Sequence, residues 1–96
     1  MYKLPKPVAF DWDVGNLTKS ADKHGVNKKS TEEVFFNKPL KIFKDAKHSA
    51  TESRYLALGV TNRGRKLSII FTIRKNKLRV ISARDQSKKE RIVYEK

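Results

Sequence analysis

Between Lys66 and Arg84 the chain spells out a β-hairpin, and no other stretch constrains the fold as tightly. Leu67, Ile69, Phe71 and Ile73 alternate with Ser68, Ile70, Thr72 and Arg74, and Leu78-Arg79-Val80-Ile81 resumes the alternation after Lys75-Asn76-Lys77. Period-two patterning of this kind belongs to strands with two unlike faces. With Lys75-Asn76 as a two-residue turn, Arg74 lies opposite Lys77, Thr72 opposite Arg79 and Ile70 opposite Ile81. One face then collects Leu67, Ile69, Phe71, Ile73, Leu78 and Val80. The other collects Ser68, Ile70, Thr72, Arg74, Lys77, Arg79 and Ile81. A three-residue loop would pair Arg74 with Leu78 and mix the faces, so the tight turn is expected. Asn76 tolerates the positive φ such a turn needs.

Around this hairpin the remaining elements can be placed. Arg54 to Val60 reads as a strand joined to Lys66–Arg74 by a turn at Asn62-Arg63-Gly64-Arg65. Val8 to Trp12 alternates as a short strand. Asp13 can cap a first helix running to about His24, where Gly25 supplies the stop. Ser30 with Glu33 has capping-box spacing for a second helix through Val34, Phe35 and Phe36, ended by Asn37 and Pro39. Leu40, Ile42 and Phe43 suggest a strand, and Asp45 to Ser53 a polar loop. Ser87 with Glu90 opens a last helix.

The expected order is strand, helix, helix, four strands, helix: one α+β domain spanning residues 1–96. Its four-stranded antiparallel sheet would be covered by helices on one face and left open and basic on the other. Phe10, Phe35, Phe36 and Phe71 are expected in the core, and Trp12 with them unless it stacks on a base.

Charge points to the partner. Lys and Arg number 23 against 10 acids, for a net charge of +13. All the arginines, Arg54, Arg63, Arg65, Arg74, Arg79, Arg84 and Arg91, lie in the second half. A guanidinium pairs bidentately with phosphate, so this clustering predicts a polyanion, above all RNA. The absence of cysteine excludes a disulfide scaffold and thiolate metal ligands. The first residues show no signal-peptide pattern, and the most apolar run, Leu67 to Ile73, is too short to span a bilayer. A soluble cytoplasmic protein with no membrane partner is expected.

No metal-ligand cluster, phosphate-cradling glycine loop, nucleophile elbow or dinucleotide fingerprint stands in the sequence, so neither metal nor cofactor is expected. Metal-free phosphodiester chemistry remains open, because RNA carries its own nucleophile in the 2′-hydroxyl. Arg79 and Arg74, on one strand face, are candidates for stabilising charge on the scissile phosphate. His48, Glu52 and His24 are candidates for proton transfer. His24 reads equally well as a cation at a helix C-terminus, and Glu52 as the surface partner of Arg54. Arg54, Arg63, Arg65, Arg84, Lys23 and Tyr94 are candidate RNA contacts; Arg84 has Glu90 as an alternative partner, and Tyr94 has packing on the sheet. A non-catalytic RNA- or ribosome-binding module would use the same basic face. A DNA-reading repressor fits less well, since no helix gathers Arg, Asn or Gln for the major groove.

Ordered along the chain stand Phe10-Asp11-Trp12-Asp13, Lys23-His24-Gly25-Val26, Glu32-Glu33, Asp45-x-x-His48-Ser49-x-x-Glu52-x-Arg54-Tyr55, Gly59, Arg63-Gly64-Arg65, Thr72-x-Arg74, Ile81-Ser82-Ala83-Arg84 and Glu90-Arg91-x-x-Tyr94. This set resembles the BrnT family of toxins from type II toxin–antitoxin systems, from about Phe10 to the C-terminus. It departs from the family at Ser20, where an Asn is usual, and at Gln86, where an Ala is common. The resemblance implies a RelE-like ribonuclease fold and metal-independent endonucleolytic cleavage of RNA, with mRNA as substrate. It also implies a BrnA-like ribbon-helix-helix antitoxin. Toxin and antitoxin would form a 2:2 heterotetramer that binds operator DNA through the antitoxin.

Overall fold

A helix begins at Asn27, whose extended backbone (φ −89°, ψ 170°) lets its side chain accept a hydrogen bond from the Ser30 amide. In this computed structural model, residues 4, 8–13, 15, 24–45 and 52–96 are described. The helix, α1, covers Lys28–Phe36. It therefore starts three residues before the Ser30–Glu33 capping box expected from the sequence. Asn27 follows a left-handed Gly25 (φ 64°) and takes the cap, which leaves the Glu33 carboxylate to accept from the Asn62 amide in the turn opposite. Asn37 ends the helix as expected.

Four strands follow: β1 (Lys41–Lys44), β2 (Arg54–Val60), β3 (Lys66–Arg74) and β4 (Lys77–Asp85), then helix α2 (Lys88–Tyr94). They form an antiparallel sheet in the order β1-β2-β3-β4, each strand beside its neighbour in sequence. Among the described residues the fold is thus α+β with two helices, and a helix precedes the four strands. The expected opening strand at Val8–Trp12 is reduced to one parallel bridge, Phe10 to Leu78, on the free edge of β4. Most of the helix expected over Asp13–His24 lies outside the described residues. None of the described helices is long and apolar enough to cross a membrane.

The hairpin forms as read. Lys75 (φ 49°) and Asn76 (φ 64°) make the two-residue turn with both central residues left-handed. Arg74 pairs with Lys77 and Thr72 with Arg79. Further along, Ile70 pairs with Ser82 and not with Ile81, because β4 bulges between the Phe71–Val80 and Ile70–Ser82 pairs. The extra residue switches the side-chain alternation. Ala83 is thereby fully buried, and Arg84 faces the same side as Arg79.

One sheet face carries Tyr55, Ala57, Leu67, Ile69, Phe71, Leu78 and Val80 against Val34 and Phe35 of α1, with the Phe35 and Phe71 rings edge to face at 5.3 Å. Phe36, expected in the core, is exposed. Successive helical residues diverge by about 100°, so Phe35 and Phe36 cannot both point at the sheet. Trp12 is half-buried against the core, and its Nε1 donates to Glu32 at 2.8 Å. Gly59 lies under α1 so closely that an added Cβ would meet Val34 Cγ1 at 2.5 Å and the Val34 carbonyl at 3.3 Å. Gly59→Ala is expected to destabilise the fold by about 1–2 kcal/mol through overpacking, read as a lowered denaturant midpoint at unchanged m-value.

The second face is not left open from end to end. Helix α2 lies over part of it, so the two helices pack on opposite faces and not on one. Its capping box is present as expected: Ser87 Oγ accepts from the Glu90 amide at 3.2 Å, and the Glu90 carboxylate accepts from the Ser87 amide at 2.8 Å. Glu90 also accepts from Ser68 Oγ (3.1 Å) and from both terminal nitrogens of Arg84 (2.7 and 3.0 Å). Tyr94 is buried and donates to the Pro39 carbonyl at 2.6 Å. Gln86 is buried too, bridging β2 and β3 through hydrogen bonds to the Gly59 (3.3 Å) and Leu67 (3.1 Å) carbonyls.

Candidate active site

Strand register builds the part of the second face that α2 leaves uncovered. Arg54 of β2, Thr72 of β3 and Arg79 of β4 are direct cross-strand partners and form one row across the sheet. The Thr72 side chain is short and buried, its hydroxyl donating to the Ser53 carbonyl at 2.7 Å. The middle of the row is therefore low, with a guanidinium on either side. Arg74, two residues beyond Thr72 on the same face, closes the hairpin end. Arg54, Arg74, Arg79 and Glu52 line a single cleft of about 260 Å³.

Carboxylates hold Arg74 and Arg79. Glu52 takes Arg74 Nε at 3.2 Å and Nη2 at 3.3 Å, so its carboxylate reaches across the sheet to Arg74. Arg79 donates from Nη2 to Asp13 at 2.6 Å, and its Nη1 lies 3.6 Å from Asp11. The hydrogen bond to Asp13, with the charges of Asp13 and Asp11 behind it, raises the Arg79 pKa above its ordinary value and keeps the group a fixed cation. The two aspartates are delivered by backbone pairing along the β4 edge. The Leu78 amide donates to the Ala9 carbonyl at 2.8 Å, and the Asp11 amide to the Leu78 carbonyl at 2.9 Å.

Asp11 and Asp13 were not among the site residues expected from the sequence. Only half of the signal lay in the sequence, the spacing of the two aspartates. In a short strand the side chains at 11 and 13 share a side, and a parallel seat against β4 turns that side to Arg79.

The other candidates are spread over the molecule. Arg65 forks onto Asp85 (2.6 and 3.1 Å) and also donates to the carbonyls of Gly25 (2.9 Å) and His24 (3.2 Å). The Asp85 carboxyl is held below its usual range by that hydrogen bond. Arg65 thus straps the entry of α1 to the sheet. His24 is exposed at this end, separated from Arg74 by the length of β3, nine residues or about 30 Å. Arg63 is exposed in the β2–β3 turn. Arg84 is engaged by Glu90, and Tyr94 by Pro39. Lys23 and His48 lie outside the described residues. No three His, Asp or Glu side chains gather as a metal-ligand set among the described residues.

Open to solvent and set above a sheet, three guanidiniums with a carboxylate beside them can hold a phosphodiester and accept a proton next to it. A sequence comparison with curated proteins found no match. A family model described as the ribonuclease toxin, BrnT, of type II toxin–antitoxin systems matches residues 12–90, which include every residue lining this cleft. A match over that much of the chain assigns it: this protein belongs to the BrnT family of ribonuclease toxins, whose members imply an RNA substrate and an antitoxin partner.

Proposed function

We propose that the protein is an endoribonuclease toxin that cleaves mRNA without a metal ion, by attack of a 2′-hydroxyl on the adjacent phosphorus. The observation that carries this reading is the convergence of Arg54, Arg74, Arg79 and Glu52 on one cleft. Arg79 and Arg74 bind the non-bridging oxygens of the scissile phosphate and stabilise the charge that builds there during attack. Arg54 holds a neighbouring phosphate. A phosphate arriving at Arg74 replaces the Glu52 carboxylate on that guanidinium and frees it to take the 2′-hydroxyl proton. His48, four residues before Glu52 in the chain, returns a proton to the departing 5′-oxygen. The products are a 2′,3′-cyclic phosphate and a 5′-hydroxyl. His24 has no part in this scheme, since it sits at the far end of β3.

The same reading gives the toxin a RelE-like architecture and a cytoplasmic site of action. Its antitoxin is of the BrnA type, carrying a ribbon-helix-helix part, and a 2:2 complex binds operator DNA through that part. Family membership and the ordered motif set support these assignments.

The test is cleavage of end-labelled RNA by purified protein in excess EDTA. Discrete fragments ending in a cyclic phosphate are expected. Intact RNA that is cut only after magnesium is added would overturn the metal-free scheme. Intact RNA with retained binding, in either condition, would favour a non-catalytic RNA-binding module.

A further inference from the structure

The second sheet face carries, next to the arginine cleft, an apolar strip that the fold does not cover. Between β1 and α2, Phe43, Leu56, Leu58 and Val93 line a groove of about 350 Å³. A second hollow of about 370 Å³ continues it past Phe43 and Val93 to Lys41 and Lys96. Leu58 is buried as a floor, while Phe43 is 42% and Val93 41% exposed. In a chain of 96 residues with a charge of +13, apolar side chains standing out on both walls of one groove mark a contact surface.

Charge around the strip calls for an acidic occupant. Lys41, Lys89 and Lys96 border the two hollows. The one acid among the lining residues, Glu90, has its carboxylate engaged by Arg84 and Ser68 and does not offset them. The groove end is held in shape by Lys41 Nζ, which donates to the backbone oxygens of Val93 (3.0 Å) and Lys96 (3.2 Å). An apolar trough bordered by lysines suits an amphipathic helix with apolar anchors at i, i+3/i+4 and i+7 and acidic residues on its flanks.

We propose that this strip seats an acidic amphipathic helix of the antitoxin. The proposal rests on the family assignment for the existence of that partner, and it supplies a route to inhibition. Leu56 in the groove and Arg54 in the cleft are two residues apart on the same face of β2, about 7 Å. A helix about 10 Å wide lying on Phe43 and Leu56 overhangs the arginine row and denies RNA its approach.

The experiment measures binding of the antitoxin encoded with this toxin to the wild type and to Phe43→Asp, Val93→Asp and Lys89→Glu, beside RNA cleavage by the same proteins without antitoxin. The two aspartate variants are expected to bind at least 100-fold more weakly, and Lys89→Glu about tenfold more weakly with a reduced salt dependence. RNA cleavage by all three stays at the wild-type rate, and that rate also reports that they are folded. Antitoxin affinity within threefold of wild type in both aspartate variants would overturn the proposal. So would a wild-type dimer in sedimentation that Phe43→Asp makes monomeric without weakening antitoxin binding. If the wild type cuts no RNA, far-UV circular dichroism replaces cleavage as the folding control. That result tells against the endoribonuclease reading and leaves the docking test intact.

Discussion

Arg79→Ala is expected to lower the single-turnover rate of RNA cleavage about 10²- to 10³-fold, the usual cost of removing one donor aimed at developing charge. Arg79 stands at the end of the Arg54–Thr72–Arg79 row, and its guanidinium is oriented by Asp13 and Asp11 together. The fold should hardly notice the change. The aspartates left behind are half-exposed and can return to water, so the lost pairs are worth no more than about 1 kcal/mol. Arg79→Lys keeps the charge but not the fork, and should recover only part of the rate. Cleavage within threefold of wild type at an unchanged melting temperature would remove Arg79 from the site.

Glu90→Ala should produce the largest loss of stability, about 3 kcal/mol. One carboxylate closes the α2 cap through the Ser87 amide, pairs with the Arg84 guanidinium and satisfies the buried Ser68 hydroxyl. Its removal leaves Ser68 unpartnered under α2 and an arginine without its counter-charge. Burial pushes the Glu90 carboxyl up. The hydrogen bond from Arg84, those of Ser87 and Ser68, and the Arg84 charge outweigh it and hold the pKa at about 2.

A depressed folded-state value fixes the direction of the pH dependence. The contribution is complete above the unfolded pKa of about 4.5, and it is lost as pH falls toward 2. Arg84 is partly exposed, so solvent screening reduces that contribution to roughly 1–2 kcal/mol. Wild-type melting temperatures should therefore fall more steeply than those of Glu90→Gln between pH 4.5 and 2. Parallel acid limbs in the two proteins would exclude this origin.

The hairpin was legible because two independent signals agree there. Alternation sets the faces, and a tight turn at Lys75-Asn76 is the register that keeps them unmixed. Arg54–Val60 and Lys66–Arg74 were readable to the residue because the polar turn at Asn62-Arg63-Gly64-Arg65 separates two runs of strand-forming residues. The bulge was not, yet Arg84 carried the clue. Strict alternation from Leu78 and Val80 would have sent Ser82 and Arg84 into the core, so the parity had to change before them. In β2, Leu56 and Leu58 alternate with Tyr55, Ala57 and Gly59, which leaves the strand apolar on both sides. That pattern calls for cover on both faces, and α2 provides it on the second.

For the candidate site, the arginines on strands were legible because register brings them together. The aspartates that hold Arg79 were not, because the seat of residues 9–13 on the β4 edge is a tertiary pairing that local pattern does not encode. Arg65 and Arg84 illustrate the opposite limit. Composition marks them as phosphate ligands, while the structure engages both in holding helices to the sheet.

Because spatial strand order repeats chain order, each strand pairs with the segment made just before it. The β3–β4 hairpin closes over two residues, and the β2–β3 turn is residues 61–65. Chains with such short closures fold in roughly milliseconds, with hairpins forming in about 1–10 μs. The charged residues of the cleft, Glu52, Arg54, Arg74 and Arg79, lie on or beside this rapidly closing unit, and the segment that carries Asp11 and Asp13 to Arg79 is made before it. The interval between synthesis and a competent cleft is therefore expected to be brief beside the time a ribosome needs for the next copy. Growth arrest would then follow the supply of the neutralising partner and not the pace of the toxin's own folding.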